Sequence, residues 1–276
     1  MSRLWPERTC AVLCPDQLQV VRTGPRWRRG APFTLAESFA GDEATPPWQA
    51  AVDALGRFLA SGEAGSGALD VVLSNHFVRY LLMPWNPQIA SAEEFRHCAA
   101  AMFEDIHGDV AAEWDVTVSA ERAGASRVAA AVDRSLLAAI RAAMAPSRLR
   151  LASVQPYLMA AYNRVARAHT GKDFVFMLLE ARRACILAAQ GGKWCYLSTA
   201  AAPEPAQALS SLLARELQLA DLQGEALPPV YVHAAHRRGL DLPPVHGAQP
   251  RVLEARPLAG LPPSNVLACE LAASLA

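Results

Sequence analysis

Residues 71–85 read Val71-Val72-Leu73-Ser74-Asn75-His76-Phe77-Val78-Arg79-Tyr80-Leu81-Leu82-Met83-Pro84-Trp85. Short apolar runs rich in β-branched and aromatic residues, bounded by turn formers, read as strands. Two strands are expected, over 69–74 and 77–83, and Pro84-Trp85-Asn86-Pro87 closes the second. Alternation sets Phe77, Arg79 and Leu81 on one face and Val78, Tyr80 and Leu82 on the other. An Arg among apolar strand positions needs a carboxylate or solvent. The second strand is therefore read as ordinary sheet packing or, alternatively, as an edge that holds a partner.

Upstream, Thr9–Arg22 predicts a β-hairpin, with apolar Cys10–Cys14, a Pro15-Asp16-Gln17 turn, then Leu18, Val20 and Val21. A strand over 33–39 follows, and Trp48, Val52, Leu55 and Leu59 mark a helix that ends at Gly62. Downstream, Ser91-Ala92-Glu93-Glu94 is a capping box opening a helix that Gly108 stops. Strands are expected over 114–119 and 127–132, and a helix over 135–144 with Asp133 as its cap. A second set then begins with a strand over 148–154 and a helix over 156–168. A three-stranded meander follows over 173–179, 183–189 and 194–199, its second turn at Gly191-Gly192. A helix over 204–219, strands at 230–234 and 251–254, and a last helix from Ser264 to Leu275 complete the reading. Two meander-plus-helix sets suggest a duplicated α/β architecture, although no sequence repeat is visible.

The chain has 276 residues, 52% of them hydrophobic and 19% charged, which is ample for a packed core and excludes wholesale disorder. Its 26 basic and 26 acidic residues cancel, so no global basic excess supports nucleic-acid binding. The apolar stretches at 128–145 and 174–190 are cut by charges, so no membrane span is expected, and the N-terminal apolar run meets Pro15 and Asp16 too early for a signal peptide. Cys10, Cys14, Cys98, Cys185, Cys195 and Cys269 lie mostly in apolar segments, which reads as reduced, buried thiols in a cytoplasmic protein.

Common catalytic motifs are missing. Gly171-Lys172 and Gly192-Lys193 lack the rest of a Walker A loop, no Gly-x-Gly-x-x-Gly follows a strand, and no Gly-x-Ser-x-Gly is present. Cys10 and Cys14, four apart on a strand, stand roughly 13 Å apart, too far for one metal. His233 and His236 lack the spacing and the Glu of a zinc helix. Glu180, Arg182 and Arg183 interrupt an apolar meander and read either as a solvated charged hairpin turn or as a turn facing a functional cleft.

The stretch Val71–Tyr80, Pro84-Trp85, the Ser91-Ala92-Glu93-Glu94 helix start, Trp114-Asp115-Val116, Ala129–Asp133 and the meander with Leu179–Arg183 and Gly192-Lys193-Trp194 together resemble one family. It is that of the cytoplasmic actin-like proteins of bacterial pilus and type II secretion assembly, PilM and the cytosolic part of GspL. The likeness covers about residues 8 to 260. It implies an actin-like ATPase (ribonuclease H-like) α/β fold of two duplicated halves around a cleft. Residues 1–147 would form the first half, with an inserted subdomain at about 75–125, and 148–276 the second.

ATP-holding members of this fold carry an Asp-x-Gly hairpin in each half and a glycine pair beside the adenosine. By resemblance, the matching positions here are Val12, Cys14 and Gln19 in the first hairpin, Glu180 and Ala181 in the second, and His233 and Ala234 after the strand at 230. Glycines let backbone amides approach phosphate, and the Asp positions the metal. Degenerate nucleotide motifs imply a pseudo-ATPase with no cofactor, metal or catalytic residue, serving as a scaffold. The resemblance implies as partners the cytosolic tail of an inner-membrane assembly protein and the motor ATPase, with Phe77, Arg79, Tyr80 and Trp85 at the tail-binding strand. The protein would be cytoplasmic and peripheral to the inner membrane through its partner, since the sequence ends at Ala276 without a span. Two alternatives stand beside this. One is an active ATPase or small-molecule kinase on the same fold, with Asp16 or Glu180 positioning magnesium and Asp133 as the catalytic acid. The other is an unrelated two-domain α/β protein.

Overall fold

The computed structural model describes residues 7–23, 33–41, 44–169, 172–222, 227–237 and 239–253. The described residues of 1–77 and 134–160 form one compact unit, and those of 78–133 and 161–254 form a second. The helix expected over Ser264–Leu275 and Cys269 lie outside the described residues.

In the first unit the expected hairpin forms from β1 (Arg8–Leu13) and β2 (Gln17–Thr23), joined to β3 (Phe33–Ser38). After α1 (Gln49–Ala60), β4 (Ser66–Leu73) pairs in parallel with β1. Much later in the chain, β8 (Arg148–Pro156) pairs in parallel with β4, giving the five-stranded order β3-β2-β1-β4-β8. Helix α1 turns Ala51, Val52, Leu55, Phe58 and Leu59 inward at helical spacing, and α3 (Arg134–Ala143) packs beside it. Gly67 allows β4 to start close to the strand beside it. It has a φ of 122°, and a Cβ there would lie 2.2 Å from the Glu7 carbonyl oxygen.

The expected boundary between 147 and 148 is therefore displaced. Residues 148–156 are the fifth strand of the first sheet, because their backbone groups pair with β4. A parallel partner dozens of residues upstream leaves no local turn signal.

The second unit repeats the arrangement. β9 (Phe174–Glu180), β10 (Arg183–Gln190) and β11 (Lys193–Ala201) form the expected meander. β12 (Val230–His233) pairs in parallel with β9, and β13 (Arg251–Leu253) with β12, so the order is β11-β10-β9-β12-β13. α5 (Ala206–Leu219) presses Leu209, Leu213 and Leu217 onto Val175, Met177, Ile186 and Val232.

Residues 78–133 build a smaller sheet within the second unit, β5 (Val78–Met83), β6 (Trp114–Val118) and β7 (Arg127–Asp133) in the order β5-β7-β6. One face is covered by α2 (Ala92–His107), whose Phe95, Ala99 and Phe103 meet Leu81, Met83, Val116 and Ala129. The Ser91 side chain accepts from the Glu94 amide at 3.1 Å, as the capping box predicts, while Glu94 reaches the Ala90 amide at 2.8 Å. A hydrogen bond from Trp194 Nε1 of β11 to Glu121 Oε1, 2.8 Å long, ties the small sheet to the meander. α4 (Tyr157–His169) carries Tyr162 into an aromatic group with Phe174, Phe176 and Trp194.

Candidate functional site

The positions that the resemblance matches to nucleotide contacts fall on two hairpins and one strand end. In the first hairpin Val12 faces Gln19 across β1–β2 and Val72 across β1–β4, and Val12 is fully buried. The turn closes when the Cys14 amide donates to the Gln17 carbonyl at 2.9 Å, which turns the Cys14 thiol inward to a buried position. Gln19 is also buried, and its Nε2 donates to Gln17 Oε1 at 2.9 Å. Asp16 stands exposed at the tip. Val12, Cys14 and Gln19 thus all hold buried side chains.

The second hairpin is tighter. Glu180 pairs with Arg183, leaving a two-residue loop, Ala181-Arg182, in which Arg182 adopts φ 60° and its carbonyl accepts from the Ala202 amide at 3.2 Å. The reading of Glu180, Arg182 and Arg183 as one solvated turn needs correction. Arg182 and Ala181 are exposed, whereas Glu180 is buried at the end of an entirely buried β9. It is the last residue of the strand before the loop, and it shares the burial of the rest of β9. Burial, with the Glu180 charge adding to it, pushes the Cys185 thiol well up from its ordinary range.

At the end of β12, His233 is buried and its ring stacks on Phe176, centroids 6.4 Å apart and planes 22° from parallel. Burial, then the charges of Arg164 and His236, lower its pKa to about 4, so it is neutral at ordinary pH. Ala234 and Ala235 are buried as well, Ala234 in the core beneath α5, and the Ala234 carbonyl accepts from the Arg237 amide at 2.9 Å. Among the described residues, no group of three or more His, Cys, Asp or Glu is arranged to hold a metal ion. Cys10, Cys14 and Cys185 are buried and Cys98 half-buried, as expected, while Cys195 on the outer strand β11 is exposed, which corrects the expectation for that thiol.

The expected partner strand divides into two kinds of residue. Phe77 does not belong to β5. It ends a short 3₁₀ turn over Asn75–Phe77 and is buried, because Asn75 Oδ1 accepts from the Leu158 amide at 3.1 Å and draws this turn inward. Trp85 packs on Phe95 of α2, centroids 6.1 Å apart. Arg79 is exposed on β5, whereas Tyr80 on the opposite face is half-buried, as is Trp85. Partial burial, then the charge of Arg183, lowers the Arg79 pKa. Asp133 ends β7 directly before α3, half-buried.

Two buried carboxylates escaped the sequence reading. Asp70 on β4 accepts from Arg8 Nη2 at 2.6 Å and from Ser153 Oγ at 2.7 Å, joining three strands of the first sheet. Glu216 on α5 accepts from Tyr196 at 2.8 Å, from Ser198 and from Arg215 at 2.7 Å. The available signal was a charge inside an apolar run, at Leu69-Asp70-Val71 and at Leu213–Leu217. Partners 83 and 18 residues away gave no cue.

No family model matches the sequence, and no curated protein matches it. Solved structures do match it. The cytoplasmic domain of EpsL, an inner membrane component of the type II secretion system of Vibrio cholerae, aligns over 97% of this chain and 95% of its own at 15% identity, with a TM-score of 0.58. A PilM–PilN type IV pilus biogenesis complex matches over 98% of both chains at 14% identity and TM-score 0.62. A Bacteroides thetaiotaomicron protein of actin-like ATPase fold and unknown function covers 84% of this chain and 82% of its own at 8% identity and TM-score 0.56. This chain has the actin-like fold, similar in structure to PilM and to the cytoplasmic domain of EpsL.

Proposed function

We propose that this chain is a non-catalytic cytoplasmic scaffold of a type IV pilus or type II secretion-like assembly platform. In this reading it keeps the actin-like fold without nucleotide chemistry and holds the cytosolic tail of an inner-membrane assembly protein. The motor ATPase of the same apparatus is its second partner, and attachment to the inner membrane runs through the tail. The observation that carries the reading is the occupation of the turn positions. Cys14 is buried where the fold's ATP-holding members keep a glycine, Glu180 and Ala181 replace Asp-x-Gly, and His233 and Ala234 stand buried where a glycine pair belongs. A side chain at such a position removes the close backbone approach that phosphate recognition needs. No helix among the described residues is long and apolar enough to cross a membrane.

Of the four residues expected at the tail-binding strand, Arg79 is exposed and Tyr80 and Trp85 are half-buried. Phe77 is buried and out of reach of a peptide, and Trp85 packs on Phe95.

Two measurements test the halves of this proposal separately. A thermal-shift titration with Mg-ATP should leave the unfolding temperature unmoved at millimolar nucleotide. A ligand at about 100 times its dissociation constant would add about 2.7 kcal/mol, and a shift of that size would establish nucleotide binding and sink the pseudo-ATPase reading. Calorimetric titration with a peptide of the inner-membrane protein's cytosolic tail should give binding that Arg79→Glu and Tyr80→Ala each weaken. Equal affinity in both variants would take β5 out of the interface.

A further inference from the structure

Three large apolar side chains stand well exposed among the described residues, and two of them, Ile106 at 64% and Val110 at 58%, lie four positions apart at the end of α2. Ile106 continues a stripe at four-residue spacing. Cys98 and Met102 are half-buried along the flank of the helix core, and Ile106 carries the same line out into solvent. From Cys98 to Ile106 the stripe spans about 12 Å, three contacts of an amphipathic seam. Past the Gly108 cap, Val110 stands exposed in the 3₁₀ turn that follows α2.

Five carboxylates flank this apolar line in the sequence. Glu104, Asp105, Asp109, Glu113 and Asp115 are exposed. Between Arg96 and Arg122 the sequence has no Lys or Arg, although the whole chain is charge-balanced. None of these five carboxylates forms an ion pair among the described residues. Glu104 and Asp105 sit in the last turn of α2, where the helix dipole is already negative and carboxylates are unfavourable. The one basic side chain of that turn, His107, lies against Phe103 and Trp114. Exposed apolar surface and unbalanced charge at a helix end both weigh against the isolated fold, and one kind of partner relieves both.

We propose that the outer end of α2 is a docking surface for a basic amphipathic helix of a partner protein. Its apolar side chains cover Ile106 and Val110, and its Lys or Arg side chains meet the carboxylate rim. A second copy of this chain is the poorer occupant, because a two-fold pairing of this face sets carboxylates against carboxylates. The surface lies on α2 rather than β5, and its occupancy does not depend on the tail-binding reading above.

The trial is fluorescence anisotropy with the full chain and a labelled Leu/Lys amphipathic helical peptide of about 18 residues, long enough to hold a helix when docked. A scrambled peptide of equal composition serves as control. Expected is binding that weakens with salt, falls about tenfold or more for the scrambled peptide, and falls as far in two variants. These are Glu104→Lys with Asp105→Lys and Asp109→Lys, and Ile106→Ser with Val110→Ser. All five positions are exposed, and a thermal melt checks that each variant folds. Hydrogen exchange on the wild-type complex should show added protection over residues 102–113. Equal affinity in either variant, or protection confined to other segments, overturns the proposal. So does a self-associated chain in sedimentation that Ile106→Ser with Val110→Ser dissociates, since the face would then belong to a second copy.

Discussion

The two five-stranded sheets share one topology, an antiparallel three-strand meander whose first strand gains a parallel neighbour and then a second, yet they are filled differently. The central strand of the first sheet is narrow, Cys10-Ala11-Val12-Leu13, whereas that of the second is broad, Phe174-Val175-Phe176-Met177-Leu178-Leu179, and both are buried. Their polar fixtures differ as well. Asp70 joins strand to strand through Arg8 and Ser153, while Glu216 joins helix to strand through Tyr196 and Ser198. Topology here is specified by the period of apolar residues and the turns, and the side-chain sizes and polar partners are free to diverge. That freedom is why two copies of one architecture leave no visible sequence repeat.

The contrast in core width gives the largest expected effect. Phe176→Ala should cost about 3–5 kcal/mol, since it opens a cavity between Tyr162 and His233. In the narrow sheet the damaging change is the opposite one, with Ala11→Leu costing about 1–3 kcal/mol through overpacking. Urea unfolding of both variants measures this. A harmless Ala11→Leu would show that the first sheet has slack and that the two cores do not differ in the way described.

The second sheet alone carries a buried, neutral histidine. An unfolded His titrates near 6.5, and His233 titrates at about 4 when folded. Between those values the unfolded chain binds the extra proton, so stability is fully present above about pH 6.5 and declines as pH falls to about 4, by about 3 kcal/mol in all. His233→Phe keeps the stack on Phe176 without a titrating nitrogen and should flatten the profile in that window. A wild-type stability unchanged between pH 6.5 and 4.5 would remove His233 as its source.

The smallest effects separate the two carboxylates. Asp70→Ala should cost about 2–3 kcal/mol, because Ser153 and Arg8 lose a shared buried acceptor. Glu216→Gln, which keeps an acceptor for Tyr196, should cost about 1–2 kcal/mol. Burial alone would raise the Glu216 pKa, but hydrogen bonds from Ser198, Arg215 and Tyr196 and the Arg215 charge hold it below the usual range. Its contribution is present above the unfolded carboxylate pKa and is lost as pH falls through the folded value. The Glu216→Gln variant should therefore lose the steepest acid limb while keeping the histidine window. Denaturant series at several pH values resolve the two.

Local chemistry made most of this fold legible. The hairpin turn at Pro15-Asp16, the Gly191-Gly192 turn, the alternation of β6 and the capping box at Ser91 each act within a few residues, and each element stands where they place it. What distance decides was not legible. β8 was assigned to the wrong half because its partner β4 lies some eighty positions away. Phe77 was read as a strand residue because the pull of Leu158 on Asn75 leaves no trace in the sequence around it. Glu180 reads either as solvated or as facing a cleft because its charge is visible and its burial at the strand end is not. The exposed stripe of α2 shares its spacing with any core-facing helix, and only the structure shows Ile106 and Val110 turned outward.

Arg182 holds the loop of the second hairpin at φ 60°, a left-handed backbone that burdens any residue bearing a Cβ by about 1–2 kcal/mol. Glycine would relax that tip at once, so the arginine there makes the hairpin a lightly sprung element whose guanidinium is displayed at a thermodynamic loss. A glycine at 182 is accordingly the first substitution to try when a hardier form of the protein is wanted, and whatever activity it then lacks would report what the displayed cation is for.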